Sequence, residues 1–205
     1  DIMQTSLPEA MVMTDFNSSF NTKLEDDPAK YEAIGIGPGI GTASETKMML
    51  RDILGFCKKP LVLDADALNI IASQKDLLRF VPAGSILTPH PKEFERMFGE
   101  TENEFERIEL ALQKAIELNL VIVVKGHHTL IAAANGKAYF NSTGNAGMAT
   151  AGSGDTLTGI LTALLAQGYV SVDAAILGVF IHGLAGDIAA KKISMEALIA
   201  GDIID

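Results

Sequence analysis

Gly152, Ser153, Gly154 and Asp155 stand directly ahead of an apolar-periodic run, inside the stretch NAGMATAGSGDTLTGIL that spans residues 145 to 161. Glycine at 152 and 154 lets the backbone turn sharply, so that successive N–H groups converge at the positive end of the helix that follows. Gly152, Ser153 and Gly154 then make an anion hole that needs no basic side chain. The acid at this seam has two readings. Asp155 complements the dipole of its helix, which is reason enough for a carboxylate there. It also stands where it would repel a bound phosphate, unless it takes a proton from the group that attacks that phosphate. A base beside fixed dipoles is what phosphoryl transfer to a hydroxyl requires.

Four further groups of chemically capable residues follow strand-like segments. GIGPGIGT (35 to 42) carries glycines at 35, 37, 39 and 41 but is no dinucleotide fingerprint, because Ile40 and Thr42 stand where G-x-G-x-x-G needs its last glycine; no G-x-x-x-x-G-K-[ST] occurs either. The glycines mark a tight turn or a wall against a ligand. LDADALN (63 to 69) places Asp64 and Asp66 at a strand end, where alternate acids hold a metal or Asp66 caps the next helix. TPHPKEFE (88 to 95) presents His90 between two prolines on a stiff loop, with Glu93 one helical turn later. VVKGHHTL (123 to 130) ends a strand in Lys125, Gly126, His127, His128 and Thr129, a solvated turn or a ligand loop.

These loops need a scaffold, and the rest of the chain supplies one. EAMVM (9 to 13) and AIGI (33 to 36) read as extended, PLVLD (60 to 64) and SILT (85 to 88) as short strands covered on both faces, and VIVVK (121 to 125) as the most β-branched segment. Asn135-Gly136 between two strand-like runs signals a hairpin. Helices are expected from Ser44, a cap, to about Leu54, over 92 to 98, 104 to 118, 155 to 167 and 172 to 190, and from Met195 onward. The expected architecture is α/β: one domain over 1 to 205 with a mainly parallel central sheet, helices on both faces and an antiparallel edge hairpin. Ligands in such sheets bind beyond the carboxyl ends of the strands, where all five groups lie.

Composition narrows the chemistry. A formal net charge of −10 over 205 residues excludes a broad basic surface for nucleic acid, so any phosphate is held locally. The single cysteine, Cys57, forms no internal disulfide and reads as a small buried side chain in a reducing, cytoplasmic setting. The longest apolar run, AAILGVFI, is far shorter than a bilayer span, so no membrane is expected.

GSGD at a helix start after a largely parallel sheet resembles the ribokinase-like superfamily, whose members phosphorylate hydroxyls. The longer string NSTGNAGMATAGSGDTLTGIL, with GPGIGT, LVLDADALN, TPHPKEFERMFG and VVKGHHTLI in the same order, resembles more narrowly the ADP/ATP-dependent NAD(P)H-hydrate dehydratases, with Ala146 and Ala151 departing from the common proline and glycine. The resemblance implies a substrate of hydrated NADH or NADPH (NADHX, NADPHX) and ADP or ATP as co-substrate with Mg²⁺. It implies Asp155 as the base. It implies contacts to the hydrate from Gly39, His90 and Asn145, and contacts to the nucleotide from Lys125 to Thr129 and from Gly154, with Asp66 and Glu93 as candidate metal residues. It also implies a homo-oligomer, with the apolar C-terminal helices as interface. The family pattern starts upstream of a stretch like LPEAMV, so a strand and helix are expected to be missing ahead of residue 7. Two rivals share these residues: a vitamin or sugar kinase that keeps its phosphorylated product, and a nucleotide-binding module without catalysis.

Overall fold

Segments such as LVL and VIVV bury every residue, as strands of a sheet covered on both faces must. In the computed structural model, which describes residues 2–205, they lie at the centre of a six-stranded sheet. Its strands are β1 (Ile34–Ile36), β2 (Leu61–Leu63), β3 (Ile86–Leu87), β4 (Val121–Val124), β5 (Leu130–Ala132) and β6 (Ala138–Phe140), arranged in sequence order. β1 to β4 are parallel; β5 and β6 complete the sheet as an antiparallel hairpin. Gly136 turns that hairpin with φ +79°, a conformation that favours glycine.

The helices are α1 (Ile2–Ser6), α2 (Ser44–Phe56), α3 (Ala65–Ser73), α4 (Pro91–Phe98), α5 (Glu104–Leu118), α6 (Ser153–Ala166), α7 (Ser171–Lys192) and α8 (Ala200–Ile204). Right-handed crossovers between neighbouring parallel strands put α2 to α5 on one face, and α6 and α7 cover the other. Strand alternation divides the core accordingly. Leu61, Leu63 and Leu87 pack toward Leu50, Leu54 and Leu68, whereas Val62, Ile86 and Val123 pack toward Leu157, Leu161 and Val179.

Four expectations need correction. Residues 9 to 13 form no strand: they pair with no neighbouring strand, and Met11 and Met13 are exposed, so nothing offsets the cost of ordering them in a sheet. β1 is therefore an edge, with no strand on its outer side among the described residues. Ser44 does not cap α2; it is the first helical residue, and its hydroxyl donates to Glu45 at 2.8 Å. The last helix begins at Ala200 rather than Met195, after a turn. Finally, AAILGVFI belongs to the 22-residue α7, which is long and apolar enough to cross a bilayer, although 44% of its most apolar window is buried within the domain.

Candidate active site

The start of α6 is built by Gly152, whose φ of +86° swings the chain into the helix without any side chain capping it. Ser153 N–H reaches back to Thr150 O at 3.3 Å, while the N–H groups of Gly154 and Asp155 have no acceptor among the described residues. Two open donors thus point outward at the positive end of a 14-residue helix. Ser153 is buried, and its Oγ lies 3.3 Å from Nε2 of His182, a histidine buried on α7. Burial pushes His182 below the usual imidazole range, the nearby charge of Lys125 pushes the same way, and a hydrogen bond at Ser153 opposes them.

A second feature crosses beneath this one. Asp64, at the end of β2, is almost fully buried. Its Oδ1 accepts from Lys125 Nζ at 2.6 Å and its Oδ2 from the Thr158 hydroxyl at 2.9 Å. Lys125 follows β4 directly and Thr158 lies on the first turns of α6, so one carboxylate joins the loops after two strands and a helix start. A Cβ placed on Gly154 would sit 3.6 Å from Lys125 Nζ and 3.7 Å from Asp64 Oδ2, which brings the ammonium alongside the open donors. The helix end consequently carries a cation as well as its dipole.

Asp155 is exposed and lines a cavity of about 830 Å³ with Gly35, Gly37, Pro38 and Thr158. Only this upper end lies at the carboxyl edge of the sheet. The remainder runs down the open flank of β1, past Ile34, Met49 and Ile53 to Ala163 and Ala166. The loop containing Asp15, Asn21 and Lys23 forms its outer wall. Asp15 organises that loop: N–H groups of Thr22 and Asn17 hold its carboxyl well below the usual range, at about 2.

Lys125 to Thr129 follow β4 beside the α6 terminus; Gly126, His127 and His128 are exposed, the two imidazoles meeting edge-on with centroids 4.3 Å apart. Thr129 Oγ1 donates to Gly126 O at 3.2 Å, closing the turn. Gly39 is exposed with φ +67°, and open space surrounds the position of an added Cβ.

His90 and Glu93 form a capping box on α4: His90 Nδ1 accepts from the N–H groups of Lys92 and Glu93, and Glu93 Oε2 accepts from His90 N–H at 2.8 Å. The imidazole edge stays 43% exposed, so it faces solvent as well as its helix. Asn145 caps a short 3-10 turn, Ala146–Met148, with Oδ1 accepting from Gly147 N–H, and its amide donates to Asp187 Oδ1 on α7 at 2.9 Å.

Asp66 does not cap α3. Its Oδ2 instead accepts from Gly41 N–H at 2.9 Å and ties the glycine loop down. Asp66 and Glu93 each accept a backbone N–H, and the described residues contain no group of three or more His, Cys, Asp or Glu able to hold a cation. Cys57 is buried, and burial raises its thiol. Thr158, His182 and Asp187 were not singled out from sequence. His182 had one signal, a lone imidazole inside an apolar helix; the two others had none.

A family model described as NAD(P)H-hydrate dehydratase matches residues 2–205. The chain belongs to the NAD(P)H-hydrate dehydratase family. It is similar to the bifunctional NAD(P)H-hydrate repair enzyme Nnr of Moorella thermoacetica, 40% identical over 207 residues that cover 100% of this chain and 39% of that protein. The chain thus spans about two fifths of the length of that relative. A solved ADP/ATP-dependent NAD(P)H-hydrate dehydratase from Bacillus subtilis, co-crystallised with ATP/Mg²⁺ and soaked with CoA, superposes with a TM-score of 0.79 at 32% identity, covering 98% of this chain and 73% of that one. A ribokinase-like superfamily protein from Enterococcus faecalis gives a TM-score of 0.72 at 28% identity over 84% of this chain and 60% of that one. Dehydratase-family membership and a ribokinase-like fold thus accompany the geometry above.

Proposed function

We propose that this chain carries the catalytic machinery that returns hydrated NADH or NADPH to the intact dinucleotide, with ADP or ATP as phosphoryl donor. The observation that carries this reading is Asp155 at the cavity mouth, next in the chain to Gly154, whose N–H is open and whose Cβ position lies 3.6 Å from the ammonium of Lys125. Such a set suits transfer of a phosphoryl group to a hydroxyl.

Asp155 takes the proton from the hydroxyl that water addition left on the reduced nicotinamide ring. The freed oxygen forms a bond to the terminal phosphorus of the nucleotide as the bridging P–O bond breaks, releasing AMP or ADP. The Gly154 and Asp155 N–H groups and Lys125 balance the charge on the moving group. Hydroxide leaves carbon poorly, whereas its phosphate ester leaves well. The ring-nitrogen lone pair expels phosphate, and loss of a proton from the adjacent ring carbon restores the double bond. Gly39 and His90 border the hydrate, Asn145 holds its loop in place through Asp187, and Lys125 to Thr129 border the nucleotide. Mg²⁺ entering with the nucleotide would supply charge neutralisation for the transferring phosphoryl group, with Asp66 and Glu93 as the candidate protein residues toward it.

Two structural proposals go with this reading. The uncovered flank of β1 is where a further strand and helix would complete the domain, and their addition would close the lower cavity. The half-exposed Phe180, Ile181, Leu184 and Ile188 share one side of α7 and supply a contact between copies of the chain. Light scattering reads the second; a higher melting temperature on adding an upstream segment reads the first.

The function is tested by incubating the chain with NADH hydrate and ADP or ATP and following recovery of NADH absorbance. Nucleotide-dependent recovery with release of inorganic phosphate is expected. Accumulation of a stable phosphate ester would indicate a kinase instead, and nucleotide binding without turnover would indicate a binding module.

A further inference from the structure

The Asp64 carboxylate does something that no motif assigned to it. Acids at strand ends ahead of a helix ordinarily turn back to cap the helix N-terminus. Asp64 occupies the cap position of α3 yet makes no side-chain cap bond. Its carboxylate instead crosses to Lys125 and Thr158. The backbone next to it is strained: Ala65 has φ +46°, and the one other non-glycine residue with positive φ among those described is Asn119, at an ordinary helix end. Alanine gains nothing locally from that conformation, so the surrounding contacts impose it.

A buried carboxylate facing a helix start that is built to hold anions is costly unless compensated. Lys125 compensates Asp64, and Asp64 in turn holds the ammonium against the first turn of α6, where a free cation would be repelled by the helix dipole. Thr158 fixes the second oxygen from within α6 itself, since its hydroxyl lies closer to Asp64 Oδ2, at 2.9 Å, than to Gly154 O, at 3.2 Å.

We infer that Asp64 is a positioning residue that pins the Lys125 ammonium beside the Gly154 N–H and makes an incoming phosphate share that ammonium with a buried carboxylate. This rests on the nucleotide-dependent function proposed above. Ground-state affinity for the nucleotide is thereby restrained, and the ammonium stays aimed at one place while the phosphoryl group moves past it. Asp64 touches neither hydrate nor nucleotide, so its effect passes through Lys125.

The test is calorimetric ADP binding to the full chain and to the variants Asp64→Asn, Lys125→Met and the double variant, with circular dichroism and melting temperature recorded for each. Asp64→Asn frees the ammonium for phosphate, and ADP affinity rises at least about threefold. Lys125→Met leaves a buried carboxylate facing the anion hole, and affinity falls at least about tenfold. The double variant recovers at least about fivefold over Lys125→Met, because the uncompensated charge has gone. Should Lys125→Met fail to fold, the rise in Asp64→Asn and a double variant weaker than it still decide the matter. A part that merely braces the fold would lower the melting temperature and weaken ADP binding in Asp64→Asn; that outcome, or additivity around the cycle, overturns the assignment. A parent chain that binds ADP but turns over no hydrate refutes the functional reading alone and leaves the order of affinities to judge Asp64. A parent that binds no ADP overturns both.

Discussion

Ser153 Oγ lies 3.3 Å from His182 Nε2, a buried contact that fastens the first residue of α6 to the middle of α7. The turn that opens α6 is therefore held from behind by a titratable group. Burial keeps His182 neutral to lower pH than a free imidazole, whose ordinary value is 6.5. Below that value the unfolded chain takes up a proton that the folded chain refuses, so stability falls as pH drops through about 6.5 and goes on falling until the folded form protonates. We expect the melting temperature to decline between about pH 7.5 and pH 5.5, and the decline to be shallower in His182→Gln. Parallel slopes for the two proteins would remove His182 from this role.

The turn after β4 tests the nucleotide side. Gly126 is exposed and a Cβ there meets nothing within 4 Å, so Gly126→Val leaves the fold intact. It does place a branched side chain where backbone would approach a nucleotide. ADP or ATP affinity by calorimetry should fall at least about tenfold, more than 1 kcal/mol, with an unchanged circular dichroism spectrum. Unaltered affinity would move the nucleotide to another loop.

Gly37 and Gly39 are chemically alike in the sequence and should part company on substitution. A Cβ on Gly37 collides with the Asp64 carbonyl, a backbone atom that cannot step aside, and φ there is +142°. Gly37→Ala should cost on the order of 2 to 4 kcal/mol. Gly39 has open space around it and φ +67°, so Gly39→Ala should cost only about 1 to 2 kcal/mol. Chemical denaturation of both variants measures the difference, and equal losses would contradict the packing of the glycine loop on the end of β2.

What the sequence made legible follows from how local each signal is. Buried strands such as VIVV announce themselves by composition, and Gly152 announces its turn because little else tolerates that backbone. The stretch 9 to 13 misled because its apolar residues fit a strand, whereas a strand also needs a neighbour, which sequence does not display. Asp66 was weighed as a cap or a ligand, yet its partner, the N–H of Gly41, is 25 residues away. Asp64 and Thr158 are separated by 94 positions, so no spacing rule connects them. His90 and Glu93 read from sequence as residues facing a ligand, and the capping box that joins them was not legible because histidine is not among the usual cap residues.

The central claim is that Asp155 is the base, and turnover of Asp155→Asn tests it most directly. The substitution keeps size and removes both the proton acceptor and a charge facing the phosphate. Recovery of NADH from its hydrate with ADP or ATP should fall on the order of 10² to 10⁴ fold, while nucleotide affinity holds or rises slightly. An acid that only complements the helix dipole is worth about 0.3 to 1 kcal/mol of stability, and its loss would lower the melting temperature a little and spare turnover. Turnover within a few-fold of the parent would contradict the account and return Asp155 to a helix-end charge.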